Sequence, residues 1–94
     1  PNPAVYKNVL GRNSLDTGRV MAIEDSQNGL IAAVLASLKT IITTHPMTAN
    51  NSFRESCLVI DCMGDPTRPF QVVTGNNFGH NYLNLSLIEK LLNQ

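Results

Sequence analysis

The sequence contains no tryptophan, and aromatic residues fill only 5% of its 94 positions. A core built from it must rest on aliphatic side chains rather than large rings. Charge is also sparse, at 15%, with seven basic residues against seven acidic ones and no Lys/Arg cluster. That excludes a nucleic-acid or anionic-membrane surface built on bulk charge. The longest apolar run, LIAAVLASL, falls far short of the roughly 20 residues that a membrane helix needs. The opening PNPAVYKN has neither the basic region nor the apolar stretch of a signal peptide. The two cysteines, Cys57 and Cys62, match neither zinc nor thioredoxin-like spacing. They read as reduced, packing side chains in a cytosol-like compartment.

What is present is 43% hydrophobic residues, enough for one small domain or part of one. Val5, Tyr6, Val9 and Leu10 recur at helical spacing after Pro3, which suits a first helical turn, and Gly11 offers an end. VMAI is a short continuous apolar run, the pattern of a strand buried on both faces of a parallel sheet. In the segment that follows, Asn28-Gly29 is a hairpin signal, but the Ala- and Leu-rich LIAAVLASL favours a helix with Ser26 as its N-cap. TIIT has the β-branched density of a second strand, and Pro46 stops it. A polar segment around Phe53 is expected to form one helical turn, and CLVI gives a third strand. Helix, strand, helix, strand, short helix, strand is an α/β alternation, which predicts a parallel sheet with flanking helices. Residues 61–82 are rich in Gly, Asn and Pro and read mainly as surface connection, with a short extended piece at QVV. At the end, Asn84 or Ser86 caps a helix carrying Leu87, Ile88, Leu91 and Leu92.

In open α/β sheets, ligands bind beyond the carboxyl ends of the strands. Glu24 and Asp25 sit at that end of VMAI. Adjacent carboxylates there suit a hard cation such as Mg²⁺, which takes one or two protein carboxylates and completes its shell with water and phosphate oxygens. Because side chains alternate along a strand, at most one of the pair points straight at a metal, and Asp25 is the preferred ligand. The spacing fits equally well with Asp25 or Ser26 simply capping the helix while Glu24 is solvated. His45 and His80 stand alone in polar loops, Ser14 and Asp16 form no triad with either, and Asp61 and Asp65 fit turns. Arg54 and Arg68 are isolated surface cations.

The run VMAIEDSQNGLIAAVLASLKTIIT resembles the last motif of the haloacid-dehalogenase (HAD) superfamily of phosphohydrolases, in the subgroup of CbbY-like phosphatases and β-phosphoglucomutases. In that subgroup a strand ends in Glu-Asp-Ser, a Gly follows three residues after the Ser, and an Ala-rich helix leads to the next strand. Glu24, Asp25, Ser26 and Gly29 stand at these positions. PNPAVY resembles the stretch after the family's catalytic lysine in Lys-Pro-x-Pro, and MGDPTRPFQVV the tail of photosynthetic CbbY-like members. The resemblance is strongest over residues 1–43. One departure is at Ala36-Ser37-Leu38, where the family usually has a Gly able to take a left-handed helix end.

The resemblance implies an incomplete Rossmann-like (HAD-type) core over residues 1–70 and a tail over 71–94 that ends in a helix. It implies Mg²⁺ held by Asp25 and Glu24 with Ser26 as a supporting hydroxyl, in a phosphatase acting on sugar phosphates such as xylulose 1,5-bisphosphate, or in a phosphomutase of the β-phosphoglucomutase type. The nucleophilic Asp-x-Asp motif, the Ser/Thr motif and the cap lie outside these residues, and the lysine would fall just before Pro1. The expectation is therefore a carboxy-terminal part of a longer enzyme, without catalytic residues of its own and inactive alone, whose partner is the amino-terminal part of the same protein. Nucleic acid and membrane are not expected partners. The expected compartment is the cytoplasm, or the plastid stroma in a photosynthetic eukaryote. The rival from another class is a non-catalytic receiver-like or interaction module, since receiver domains also place paired acids at strand ends.

Overall fold

The computed structural model describes residues 2–48 and 51–94. Its elements run α1 (Ala4–Arg12), a 3-10 turn (Thr17–Arg19), β1 (Met21–Glu24), α2 (Gln27–Leu35), β2 (Lys39–Thr43), β3 (Leu58–Ile60), β4 (Val72–Gly75) and α3 (Leu85–Leu92). The strands form one sheet in the order β1-β2-β3-β4. β1 pairs with β2 and β2 with β3 in parallel, as the alternation of helix and strand requires. β4 closes the far edge antiparallel to β3, with a register shift between Val59 and Ile60. The fold is thus α/β, a mostly parallel sheet flanked by helices.

Side-chain alternation sends each strand's residues to opposite faces. On one face, Ile41, Leu58 and Ile60 form a core with Phe70 and with Leu87 and Leu91 of α3, and Met21 and Ile23 pack against it. On the other, Ala22 of β1 meets Ala33 and Ala36 around α2, and the small side chains leave room for Tyr6 and Leu10 of α1. Tyr6 and Leu10 are four apart, so one stripe of α1 docks while Val5 and Val9 stay exposed. A third cluster joins Leu30 of α2 to Ile42, Val59 and Phe53.

Several sequence expectations are corrected. Gly11 does not end α1: the helix continues to Arg12, Asn13 follows, and Ser14 takes the positive φ of 51°. The segment around Phe53 forms a turn instead of a helical turn. The Ser56 amide and hydroxyl both donate to the Phe53 carbonyl, at 3.1 and 2.7 Å, while the Phe53 ring is buried. The extended piece near QVV is a full ladder strand, β4. Gly75 fits against β3 there because a Cβ would lie 2.8 Å from the Cys57 carbonyl oxygen. β1 is not buried on both faces: it stands at the sheet edge, with only Ala22 fully buried. Cys57 is half-buried, but Cys62 is exposed and does not pack; both are free thiols. No helix among the described residues is long and apolar enough to cross a membrane.

The turn after α2 explains how the chain manages without the family's glycine. Ser37 itself adopts the left-handed conformation, with φ 65°. Its amide reaches the Val34 carbonyl at 2.9 Å, and the Leu38 amide reaches the Ala33 carbonyl at 3.0 Å, so the helix end is hydrogen-bonded in the ordinary way. The backbone geometry is retained with a side chain that disfavours it.

Candidate functional site

The carboxyl end of β1 runs directly into the amino end of α2, with Asp25 and Ser26 as the only residues between them. Ser26 is extended, with φ −141° and ψ 159°, and its hydroxyl oxygen accepts from the Gly29 amide at 3.0 Å. This is the N-cap expected from the sequence, and it fixes how β1 turns into α2. The hydroxyl assigned a supporting role thus has a defined structural task.

Glu24 and Asp25 diverge at this junction. Glu24 shares a face with Ala22, so its side chain lies on the α1/α2 side of the sheet, and it is half-buried. Its carboxylate accepts a hydrogen bond from the Tyr6 hydroxyl across 18 residues of sequence. Burial first, and then the hydrogen bond and negative charge of Glu24, raise the Tyr6 phenol above its ordinary pKa, so it stays a neutral donor. On the other side the carboxylate leans over Gly29: a Cβ there would stand 2.7 Å from the Glu24 Cδ. A side chain at this position would push the carboxylate out of the place it occupies, although the Gly29 backbone is helical. Asp25 is exposed beyond the strand end. Close by in sequence, the Gln27 side-chain oxygen is buried without a partner among the described residues.

Two carboxylates and a hydroxyl at one strand end are hard oxygen donors, the chemistry Mg²⁺ prefers, and two protein carboxylates are the most it commonly takes. Among the described residues no cluster of three or more His, Cys, Asp or Glu side chains could hold a metal. Pro1, beside which the family's lysine would fall, lies outside the described residues.

Asp16, Asp61, Asp65 and the two histidines have hydrogen-bond partners elsewhere. Asp16 caps the 3-10 turn by accepting from the Gly18 amide at 2.9 Å. Asp61 follows β3 and accepts from the Gln71 amide at 2.7 Å. Asp65 accepts from the Thr67 amide, the Thr67 hydroxyl and the Arg68 amide, at 2.8, 2.9 and 2.8 Å. These bonds, led by that to the Thr67 side chain, hold its carboxyl below the usual range. His45 Nδ1 accepts from the Met47 amide at 3.2 Å, and His80 lies 3.2 Å from Asn84 Nδ2 and 3.3 Å from Lys90 Nζ. Two open clefts, of about 350 Å³ by Phe53 and Arg54 and about 320 Å³ by Arg19 and Ile88, are lined by neither Glu24 nor Asp25. The β1–α2 junction, by contrast, places Glu24 and Asp25 at the carboxyl edge where parallel sheets bind ligands. Sequence reasoning missed Tyr6, which reads there only as an apolar position of a helix.

No family model matches the sequence. Over 69 residues, 73% of the chain, it is 45% identical to protein CbbY (plasmid) of Cupriavidus necator, of which those residues are 27%. Over 66 residues, 70% of the chain, it is 36% identical to the CBBY-like protein of Arabidopsis thaliana, of which they are 21%. The chain thus spans about a quarter of the length of these relatives. With Glu-Asp-Ser leaving a parallel strand, the matched segment is similar to CbbY-like proteins of the HAD type.

Proposed function

We propose that this chain is the metal-holding, carboxy-terminal part of a Mg²⁺-dependent phosphatase acting on sugar phosphates. The observation that carries the reading is the junction itself: Glu24, Asp25 and Ser26 pass from the carboxyl edge of a parallel sheet into the capped amino end of α2. Asp25, exposed at that edge, is the residue proposed to touch the metal. Glu24 is set by Tyr6 and Gly29, and Ser26 holds the turn that presents both acids. When bound, Mg²⁺ supplies positive charge that neutralises the oxygens of a phosphoryl group in transfer. The amino end of α2 adds the partial positive charge of its unpaired amides at the same junction.

The nucleophile, the lysine and the cap that selects the sugar belong, in this reading, to the rest of a longer protein. That remainder is the proposed partner of the free edge of β1, and the chain alone would not turn over substrate. The two free thiols support a reducing compartment, the cytoplasm or the plastid stroma.

The test is phosphate release by the full-length protein from a panel including xylulose 1,5-bisphosphate and β-glucose 1-phosphate, titrated with Mg²⁺. Activity that requires Mg²⁺ and falls by at least about a hundredfold in Asp25→Asn is the expected result, since a direct ligand should cost no less than the tenfold to hundredfold typical of its supporting shell. Wild-type turnover and Mg²⁺ dependence in Asp25→Asn would overturn the reading.

A further inference from the structure

We propose that Tyr6 is a positioning residue for the divalent-cation site: its hydroxyl, donated to Glu24, fixes the carboxylate at the end of β1 in one orientation. The inference rests on the metal-site reading above and adds to it a residue from a separate element, α1.

A glutamate without such a partner is free to move. Its three rotatable bonds leave a carboxylate at a strand end free to swing through several rotamers, and fixing it costs conformational entropy that weakens any ligand it then binds. Here the side chain is confined from two directions. Gly29 provides the space on the α2 side, where a Cβ would stand 2.7 Å from Cδ, and the Tyr6 hydroxyl holds one carboxylate oxygen on the α1 side. Tyr6 is itself immobilised, because its ring and Leu10 pack on the Ala22, Ala33 and Ala36 patch. The donor is therefore pre-set by packing that forms whether or not a metal is bound.

The hydrogen bond is also well matched to the task. A neutral phenol can support a carboxylate without cancelling its charge, which a lysine or arginine would do. Partners of this kind commonly change metal affinity by about tenfold to a hundredfold.

The experiment is a Mn²⁺ titration of the full-length protein, followed by electron paramagnetic resonance in the absence of substrate, with thermal unfolding measured on the same samples. Three proteins are compared: wild type, Tyr6→Phe and Leu10→Ala. Tyr6→Phe keeps the ring and removes only the hydroxyl, so we expect Mn²⁺ to bind about tenfold more weakly with little change in melting temperature. Leu10→Ala keeps the Tyr6 hydroxyl and loosens the α1 packing around it, so it should lower the melting temperature and weaken Mn²⁺ binding by clearly less than Tyr6→Phe does. Unchanged or tighter Mn²⁺ binding in Tyr6→Phe would overturn the proposal while leaving the metal site standing. Equal losses of affinity in Tyr6→Phe and Leu10→Ala would also overturn it, since helix docking rather than the hydroxyl would then be the cause. Absence of Mn²⁺ binding by the wild type would remove both the proposal and the reading beneath it.

Discussion

Single positions in this chain show how far residue identity can depart from backbone preference. Ser37 occupies a left-handed position, at φ 65°, where glycine is the residue of lowest cost. The helix end keeps its hydrogen bonds to Ala33 and Val34, so the departure is borne as backbone strain rather than as lost structure. Left-handed backbone costs an ordinary residue about 1–2 kcal/mol. Replacing the serine with glycine relieves that, but it also gives the unfolded chain more freedom. We therefore expect Ser37→Gly to stabilise the protein by about 0.5–1 kcal/mol in a denaturant titration. A Ser37→Gly protein less stable than wild type would show that the serine side chain makes a contribution larger than its strain. Gly29 is the opposite case, with ordinary helical backbone and a neighbour that leaves no space for a Cβ. Two glycine-type sites, one filled by serine and one kept as glycine, thus answer to different forces: backbone strain at the first, and the nearby Glu24 carboxylate at the second.

At the scale of elements, the apolar runs of the sequence told most of the fold, and the physical reason is visible in the packing. VMAI, TIIT and CLVI mark β1, β2 and β3 because short β-branched and aliphatic runs suit a sheet, and β2 and β3 are covered on both faces while β1 stands at the edge. Ser26 and Asn84 marked helix starts correctly because an N-cap is a local bond: each side chain accepts from an amide three residues on, Gly29 and Leu87 respectively. β4 was harder to see, since Val72, Val73 and Thr74 are exposed and the strand is held by its ladder to β3 rather than by a buried face. The Tyr6–Glu24 bond was not legible at all, because it joins residues 18 apart through the docking of α1 and has no local signature. The same limit hid the role of Lys39. From the start of β2 its ammonium donates to the carbonyls of Leu91, Leu92 and Gln94, at 3.0, 3.1 and 3.2 Å, and closes the carboxyl end of α3. A cation at that end satisfies orphan carbonyls and opposes the helix dipole. Lys39→Met keeps the stem and removes the charge, and we expect a loss of about 1–2 kcal/mol in global stability. Amide exchange should rise first in the last turn of α3. Unaltered protection at Leu91 and Leu92 would mean that packing of the Leu87–Leu91 stripe alone holds the helix.

For the molecule as a whole, the decisive feature is an edge. β1 pairs only with β2, and its outer backbone groups have no strand beside them among the described residues. Met21, Ile23 and Glu24 on the same strand are only partly covered. Nor is the strand protected in the ways that soluble sheets protect their edges, by proline, by inward lysine or by a bulge within β1. Beyond it, Val5 and Val9 of α1 stand 75% and 50% exposed, on the side of the helix that docking leaves free. The accessible surface is 5905 Å², against the roughly 5,400 Å² of an average compact monomer of this mass. A parallel strand at a naked edge is stable when a further strand pairs with it, and the proposed remainder of the protein is the natural donor. Without it, the same edge is a template for a second copy. The 94-residue chain purified alone should therefore associate with rising concentration in sedimentation velocity, and should melt without a single cooperative transition. Co-expression with the preceding part of the same protein should restore both a defined stoichiometry and a sharp transition. A monodisperse monomer at tens of micromolar, unfolding cooperatively on its own, would mean that β1 is a finished edge and that nothing needs to pair with it.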